Sequence, residues 1–251
     1  MQQVFSIPKS MKKDFKYTFC PGCDHGIAIR LLTEVIDELG IQDKSICATS
    51  IGCSVFLYDF VNVDCIEAPH GRALAEATGV KRACPDKVVF TYQGDGDFAS
   101  IGLAESMHAA FRGERVTALM LNNTTYGMTG GQHGPTTMMG QITTTSPTGR
   151  NREYYGYPAK MAEQLALIDG CAYSARVALD SIPHINEAKK AIKKAFQVQL
   201  DGIGLGFVEI LSTCPTNWKM TPEQAHERVR NDMVKTFPLG VFKDLSDNKE
   251  D

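Results

Sequence analysis

Lys87-Val88-Val89-Phe90-Thr91-Tyr92-Gln93-Gly94-Asp95-Gly96-Asp97 runs an apolar strand straight into a glycine–aspartate turn. Further along, Val116-Thr117-Ala118-Leu119-Met120-Leu121 leads in the same way into Asn122-Asn123. The residues between the two turns, 97–121, suffice for a helix that crosses over and delivers a second, parallel strand. Both turns then lie at the carboxyl ends of neighbouring strands, where open α/β sheets hold their ligands. Asp95 offers a carboxylate, Asn123 a side-chain oxygen and Thr125 a backbone carbonyl. That donor set suits a hard cation such as Mg²⁺, with diphosphate oxygens completing the octahedron. Glycines at 94 and 96 let the backbone approach such a diphosphate closely. Singly, an acidic turn and an amide pair are ordinary features; at this spacing, each directly after an apolar strand, they favour a cofactor site.

Outward from this pair the chain alternates helix and strand, with no internal repeat or low-complexity linker. Gly26 to Leu39 reads as a helix from Ile27, Leu31, Leu32, Val35, Ile36 and Leu39, with Gly40 as its stop. Strands are expected at Ser45 to Ser50, Lys87 to Gln93, Val116 to Leu121, Ala172 to Val177 and Gly206 to Leu211. Helices are expected at Arg72 to Arg82, Ile101 to Arg112, Ala159 to Ile168 and Ile185 to Gln199. Thr221-Pro222-Glu223-Gln224 has the residue order of a capping box opening a last helix. Thr124 to Pro158, rich in Gly, Thr and Pro, reads as a long loop of the kind that carries function. The fold implied is α/β, a mostly parallel sheet with helices on both faces. It forms a single domain over residues 1–251, with a C-terminal helical tail whose acidic end, Asp244 to Asp251, frays.

A chain of 251 residues is long enough for a substantial core. A net charge of -3 and a pI of about 6.1 give no reason to expect nucleic acid or anionic membrane as a partner. No run approaches transmembrane length, and Met1 to Lys16 lacks the apolar stretch of a signal peptide, so a cytoplasmic protein without membrane contact is expected.

Eight cysteines are many for such a chain, and structural disulfides are not expected there. Cys47, Cys65, Cys84 and Cys171 lie in or beside apolar runs and read as small core hydrophobes. The other four form a pattern. Cys20-Pro21-Gly22-Cys23 is a C-x-x-C just ahead of the first helix. Cys53 and Cys214 fall just past two strands, on the same sheet edge as Asp95 and Asn123. Four thiolates gathered there could hold a [4Fe–4S] cluster or a tetrahedral zinc, with His25 as a competing zinc ligand. A redox-active dithiol is the third reading.

Six motifs occur in a fixed order: CPGCDHG (Cys20 to Gly26), SIGCS (Ser50 to Ser54), HGRA (His70 to Ala73), YQGDGD (Tyr92 to Asp97), LNNTTYGMTGGQ (Leu121 to Gln132) and CPTNW (Cys214 to Trp218). With them, from about Phe19 to Lys243, the chain resembles the thiamine-diphosphate-binding β subunit of 2-oxoacid:ferredoxin oxidoreductases. Within that family it is most similar to the branched-chain group acting on 2-oxoisovalerate. The resemblance implies the thiamine-diphosphate-binding (pyrophosphate domain) fold, with a cluster-binding N-terminal segment. It implies [4Fe–4S] ligation by Cys20, Cys23, Cys53 and Cys214, the SIGCS match favouring Cys53 over Cys47. It implies Mg²⁺ ligation by Asp95, Asn123 and the Thr125 carbonyl. Cofactor contacts are implied for Ser50, Gly52, Ser54, Gly71, Gly94, Asp95, Gly96 and Asp97, and for Asn123, Tyr126, Gly127, Met128 and Thr129, with Gly127 to Gln132 lining the pocket. His70 would approach the reacting centre as a catalytic residue, or else cap the helix that starts near Arg72. His133 reads as an ordinary loop histidine.

The implied reaction is oxidative decarboxylation of a 2-oxoacid to acyl-CoA and CO₂. In the family, thiamine diphosphate is the electron sink, the cluster passes electrons to ferredoxin, and coenzyme A is the co-substrate that takes the acyl group. Relatives that accept 2-oxoglutarate or pyruvate broadly often carry a lysine shortly after the SIGCS-like cysteine. Here the stretch is Val55-Phe56-Leu57-Tyr58, which suits a branched aliphatic tail better than a second carboxylate. The alternatives are 2-oxoglutarate, pyruvate or an aryl 2-oxoacid in the same class, or a non-redox decarboxylase or carboligase subunit with zinc at the cysteines. No second α/β domain is evident to supply the glutamate that activates the aminopyrimidine ring, nor a bacterial ferredoxin cysteine run. A hetero-oligomer is therefore expected, with a pyrimidine-domain (α) subunit, a coenzyme A-binding (γ) subunit, and a ferredoxin-like subunit or free ferredoxin.

Overall fold

The strands of this protein are β1 (Ser45–Ser50), β2 (Asp64–Ala68), β3 (Val88–Gly94), β4 (Thr117–Asn122), β5 (Thr125–Tyr126), β6 (Gln132–His133), β7 (Cys171–Ala178), β8 (Leu205–Leu211) and β9 (Gly240–Asp244). They come from a computed structural model that describes residues 6–246. Seven of them form one sheet in the order β2-β1-β3-β4-β8-β7-β9. All pairings from β2 to β7 are parallel; β9 runs antiparallel along β7.

Each central strand is buried on both faces, so β3, β4, β7 and β8 read in sequence as mostly apolar runs, broken in β7 by Arg176 and in β8 by Glu209. Alternate residues serve opposite layers. Val88, Phe90 and Tyr92 pack beneath the helices His25–Leu39 and Ile182–Leu200. Val89 joins the cluster under the helices Ala73–Ala83, Leu103–Phe111 and Met161–Ala166. Gly40 ends the first helix in the left-handed conformation (φ 63°), where Gly40 N–H bonds Asp37 C=O and Ile41 N–H bonds Ile36 C=O. Thr221 and Gln224 complete the expected capping box, at 3.3 and 3.0 Å. Among the described residues no helix is long and apolar enough to cross a membrane.

Three expectations need correction. The edge strands β2 and β9 escaped notice because both are short, largely exposed and carry charges rather than an alternating apolar pattern. Because β9 follows the last helical run, the chain closes a sheet edge instead of ending as a helical tail. Asp244 is the last residue of that strand, and the remainder of the segment expected to fray, residues 247–251, lies outside the described residues. The long segment Thr124 to Pro158 is also not structureless. It contains the β5–β6 hairpin and a short helix, Arg152–Tyr155. Arg150, 5% exposed, donates to the carbonyls of Gly134, Pro135, Thr137, Tyr155, Gly156 and Tyr157. One guanidinium thus satisfies backbone oxygens that a buried loop would otherwise leave unpaired.

The strand order fixes where a ligand can enter. From β1 the chain steps outward to β2, then returns to place β3 on the other side of β1. The connections leaving β1 and β3 therefore diverge at their carboxyl ends and open a crevice between them.

Candidate functional site

A cavity of about 90 Å³ occupies that crevice, lined by residues that follow β1 (Ile51 to Ser54), β3 (Gly94 to Asp97) and β4 (Asn123, Thr125 to Thr129), together with His25 and His70. A larger one, about 480 Å³, lies between β7, β9 and the helix Ile182–Leu200, and no residue of the six motifs lines it. Of the expected cofactor-contacting residues, Gly52, Ser54, His70, Gly94, Asp95, Gly96, Asp97, Asn123, Tyr126, Gly127, Met128 and Thr129 line the smaller cavity. Thr125 and Cys53 line it too. Ser50 and Gly71 do not; both turn instead to Asp97. Of Gly127 to Gln132, which span the β5–β6 turn and enter β6, only the first three residues face the cavity.

Asp95 is buried and takes a hydrogen bond from Thr136 Oγ1, a partner that no sequence signal marks. Burial pushes its carboxyl up to about 7, against the pull of Thr136 and backbone N–H groups. A buried carboxylate so short of positive charge fits a bound divalent cation. Asn123 Oδ1 accepts the Thr125 N–H at 3.1 Å and keeps a second lone pair. A Cβ added at Gly94 would meet no heavy atom within 4 Å, which leaves that backbone open to the cavity. Gly96 differs: an added Cβ would lie 2.3 Å from the Tyr126 ring, so its glycine seats Tyr126.

Asp97 organises the reverse side of the pocket. Its Oδ1 accepts from Ser50 Oγ at 2.8 Å, Gly71 N–H at 2.6 Å and His70 Nδ1; its Oδ2 accepts from Gln93 Nε2 at 2.5 Å. The His70 ring is thereby held with its other nitrogen free of that carboxylate. Arg72 begins the helix Ala73–Ala83 with no side-chain cap, so His70 is not a helix cap. His133, read as a loop histidine, lies instead in β6, pairing with Thr125 in the hairpin, and its ring stacks on Tyr155 at 4.4 Å.

The four motif cysteines come together beside the cavity. Cys20-Pro21-Gly22-Cys23 is a tight turn, Cys23 N–H bonding Cys20 C=O at 3.0 Å with Gly22 at φ 75°. Asp24, 1% exposed, ties this turn to the Cys214 loop: it accepts the Thr213 N–H at 2.9 Å and pairs with His226 Nε2 at 2.8 Å. Thr213 Oγ1 also donates to Gly22 C=O at 2.6 Å. Burial, and then the neighbouring Cys214 and Cys53, push the Cys23 thiol up to about 12. Burial, Cys214 and Cys20 push Cys53 up to about 11. Bound metal would reverse this and hold the thiolates. Among the described residues no three His, Cys, Asp or Glu groups converge on one point as a single ion demands. The thiols of Cys20, Cys23, Cys53 and Cys214 lie within electrostatic reach of one another, donors of the kind that an iron–sulfur cluster or a zinc takes. His25, the competing zinc ligand, is otherwise engaged: it stacks on Phe19 at 4.8 Å and shares a hydrogen bond with Tyr92 Oη at 2.8 Å. Burial lowers it to about 3 and keeps it neutral. Cys47 and Cys171 are buried in strands, as core cysteines should be, whereas Cys65 and Cys84 are only half-buried. Cys47 sits directly opposite Cys65 in the sheet, away from the site edge.

Comparisons with known proteins agree with this geometry. Residues 50–209 match the family described as thiamine pyrophosphate enzyme, C-terminal TPP binding domain. The chain is 46% identical to a ketoisovalerate oxidoreductase subunit (VorA) of Methanothermobacter thermautotrophicus, over 92% of this chain and 49% of that protein. A 2-oxoglutarate synthase subunit (KorB) of Methanocaldococcus jannaschii is 37% identical, over 83% of this chain and 73% of that one. Among solved structures, a 2-oxoglutarate:ferredoxin oxidoreductase from Magnetococcus marinus, with 2-oxoglutarate, coenzyme A and succinyl-CoA bound, superposes with a TM-score of 0.74 at 26% identity. That match covers 95% of this chain and 89% of that one. The chain spans about half the length of the ketoisovalerate oxidoreductase subunits it matches.

Proposed function

We propose, because this chain belongs to the thiamine pyrophosphate enzymes and among them to the 2-oxoacid oxidoreductase subunits, that it carries the diphosphate and cluster half of a 2-oxoacid:ferredoxin oxidoreductase. Asp95, Asn123 and the Thr125 carbonyl hold Mg²⁺ and with it the diphosphate, while Cys20, Cys23, Cys53 and Cys214 hold a [4Fe–4S] cluster. When bound, thiamine diphosphate supplies the electron sink for decarboxylation and the cluster the one-electron acceptor. Gly94 leaves room for the diphosphate, Tyr126 and Met128 wall the cavity, and Asp97 keeps His70 oriented toward its interior. All eight cysteines are unbridged, which suits a reducing cytoplasm. A pyrimidine-domain subunit, a coenzyme A-binding subunit and a ferredoxin complete the enzyme. Supporting this assembly, the relatives are named as subunits and the structural neighbour holds coenzyme A.

The substrate is a branched-chain 2-oxoacid such as 2-oxoisovalerate. One observation carries this reading: neither lysine nor arginine is among the described residues lining the cavity, while the half-exposed Ile51 and Met128 are. Phe56, near the position where a lysine occurs in the broad-specificity relatives, packs edge-on to Phe19 instead. A second carboxylate would meet no lysine or arginine among those lining residues. Protein purified without oxygen, with its partner subunits, should contain iron rather than zinc. Its kcat/KM with a viologen acceptor should be at least roughly tenfold higher for 2-oxoisovalerate than for 2-oxoglutarate, the scale of a single hydrophobic-pocket preference. A preference for 2-oxoglutarate would refute the substrate assignment; stoichiometric zinc without iron would refute the cluster.

A further inference from the structure

Glu209 lies in the middle of β8, fully buried and otherwise flanked by Phe207, Val208, Ile210 and Leu211. A carboxylate in the centre of an apolar strand needs partners, and it has them. Its Oε1 accepts from Asn122 Nδ2 at 2.7 Å, and its Oε2 meets Ala162 N–H at 3.3 Å and pairs with Arg176 Nε at 2.9 Å. An ionised carboxylate only accepts, so the Asn122 amide must point its nitrogen at Glu209. The Asn122 oxygen is then left facing the turn that follows β4, where it accepts the Thr124 N–H at 3.1 Å.

Thr124 is one of two described non-glycine residues with positive φ, at 63°. A β-branched residue holds that left-handed conformation only where its surroundings impose it. Here the constraints are the Asn122 oxygen on its N–H, and Thr137 Oγ1 at 2.7 Å and Gln141 Nε2 at 3.3 Å on its carbonyl. The same twist leaves Asn123 and Thr125, on either side, lining the cavity.

We infer that Glu209 is a positioning residue for the cation site: acting through the Asn122 amide, it locks the Asn123–Thr125 turn in the form that presents its oxygens. The inference rests on the reading that Asn123 and Thr125 hold Mg²⁺. Calorimetric titration of Mg²⁺ into the EDTA-treated complex, with thiamine diphosphate in excess, tests it. Glu209→Gln puts an amide N–H against either Asn122 or the Arg176 and Ala162 donors, and should weaken Mg²⁺ binding roughly ten- to a hundredfold. Glu163→Gln is the control, since Glu163 also pairs with Arg176 but does not touch Asn122; it should leave the affinity within about a factor of two. A folded Glu209→Gln protein with wild-type affinity would overturn the inference, as would an equal loss in Glu163→Gln. If Glu209→Gln does not fold, Asn122→Ala removes the same strut from its other end. It should show the same loss, and wild-type affinity there would likewise overturn the inference. Failure of the wild-type complex to bind Mg²⁺ would instead bring down the cofactor reading itself, and this inference with it.

Discussion

Replacing Asp95 with Asn should make the cofactor-free protein more stable at pH 8. Burial raises the Asp95 carboxyl from the ordinary 3.8 to about 7. Between those two values the folded protein holds a proton that the unfolded chain has released, so stability falls as pH rises through the window. Its contribution is fully present below about pH 4 and gone above about pH 7. At about 1.4 kcal/mol per pH unit the whole window amounts to about 4 kcal/mol, an upper figure because a buried site can relax. Asn keeps an oxygen for Thr136 Oγ1 and has nothing to ionise. Urea unfolding of both proteins in EDTA, from pH 4 to pH 8, should give curves that meet at the acid end and separate toward pH 8 by up to about 4 kcal/mol. Adding Mg²⁺ with thiamine diphosphate should stabilise the wild type at pH 8 and leave Asp95→Asn nearly unmoved. Parallel pH curves, or a variant no more stable than wild type at pH 8, would refute the argument that this carboxylate is kept short of charge for a cation.

Two further perturbations probe the walls of the site. Gly96→Ala should cost about 1–3 kcal/mol in urea unfolding and weaken thiamine diphosphate binding, because the new methyl would overlap the Tyr126 ring; an unchanged midpoint would mean the ring gives way freely. Asp24→Ala strands the buried Thr213 N–H and should cost about 1–3 kcal/mol, with faster iron loss as the Cys20–Cys23 turn separates from the Cys214 loop. The hydrogen bond to Asp24 raises His226 above 6.5, so the pair stabilises the protein fully below that pH and is lost as pH rises through the higher folded value. That pH dependence should vanish in Asp24→Ala, and its persistence would assign it to another group.

Much of this protein was decided within short stretches of its sequence. Mostly apolar runs announce β3, β4, β7 and β8 because a strand buried on both faces needs them, and Gly40 and Thr221 mark helix ends because only certain residues satisfy the unpaired backbone there. Asp95, Asn123, Cys53 and Cys214 were legible for the same reason: each lies just past a strand, and strand ends in a parallel sheet share one edge, while Cys20 and Cys23 announce themselves by their C-x-x-C spacing. The edge strands β2 and β9 left no such mark, since a half-exposed strand is held by its neighbour's hydrogen bonds rather than by its own apolar content. Nor could the sequence separate Ser50 and Gly71, which serve Asp97, from Gly52 and Ser54, which face the cavity. Thr136 on Asp95, Thr213 on Asp24 and Glu209 on Asn122 join residues 41, 189 and 87 positions apart. Hydrogen bonds of that reach carry no periodicity and no fixed spacing. Only tertiary packing brings their donors and acceptors within 3 Å, and so only the folded chain decides how the motif residues are aimed.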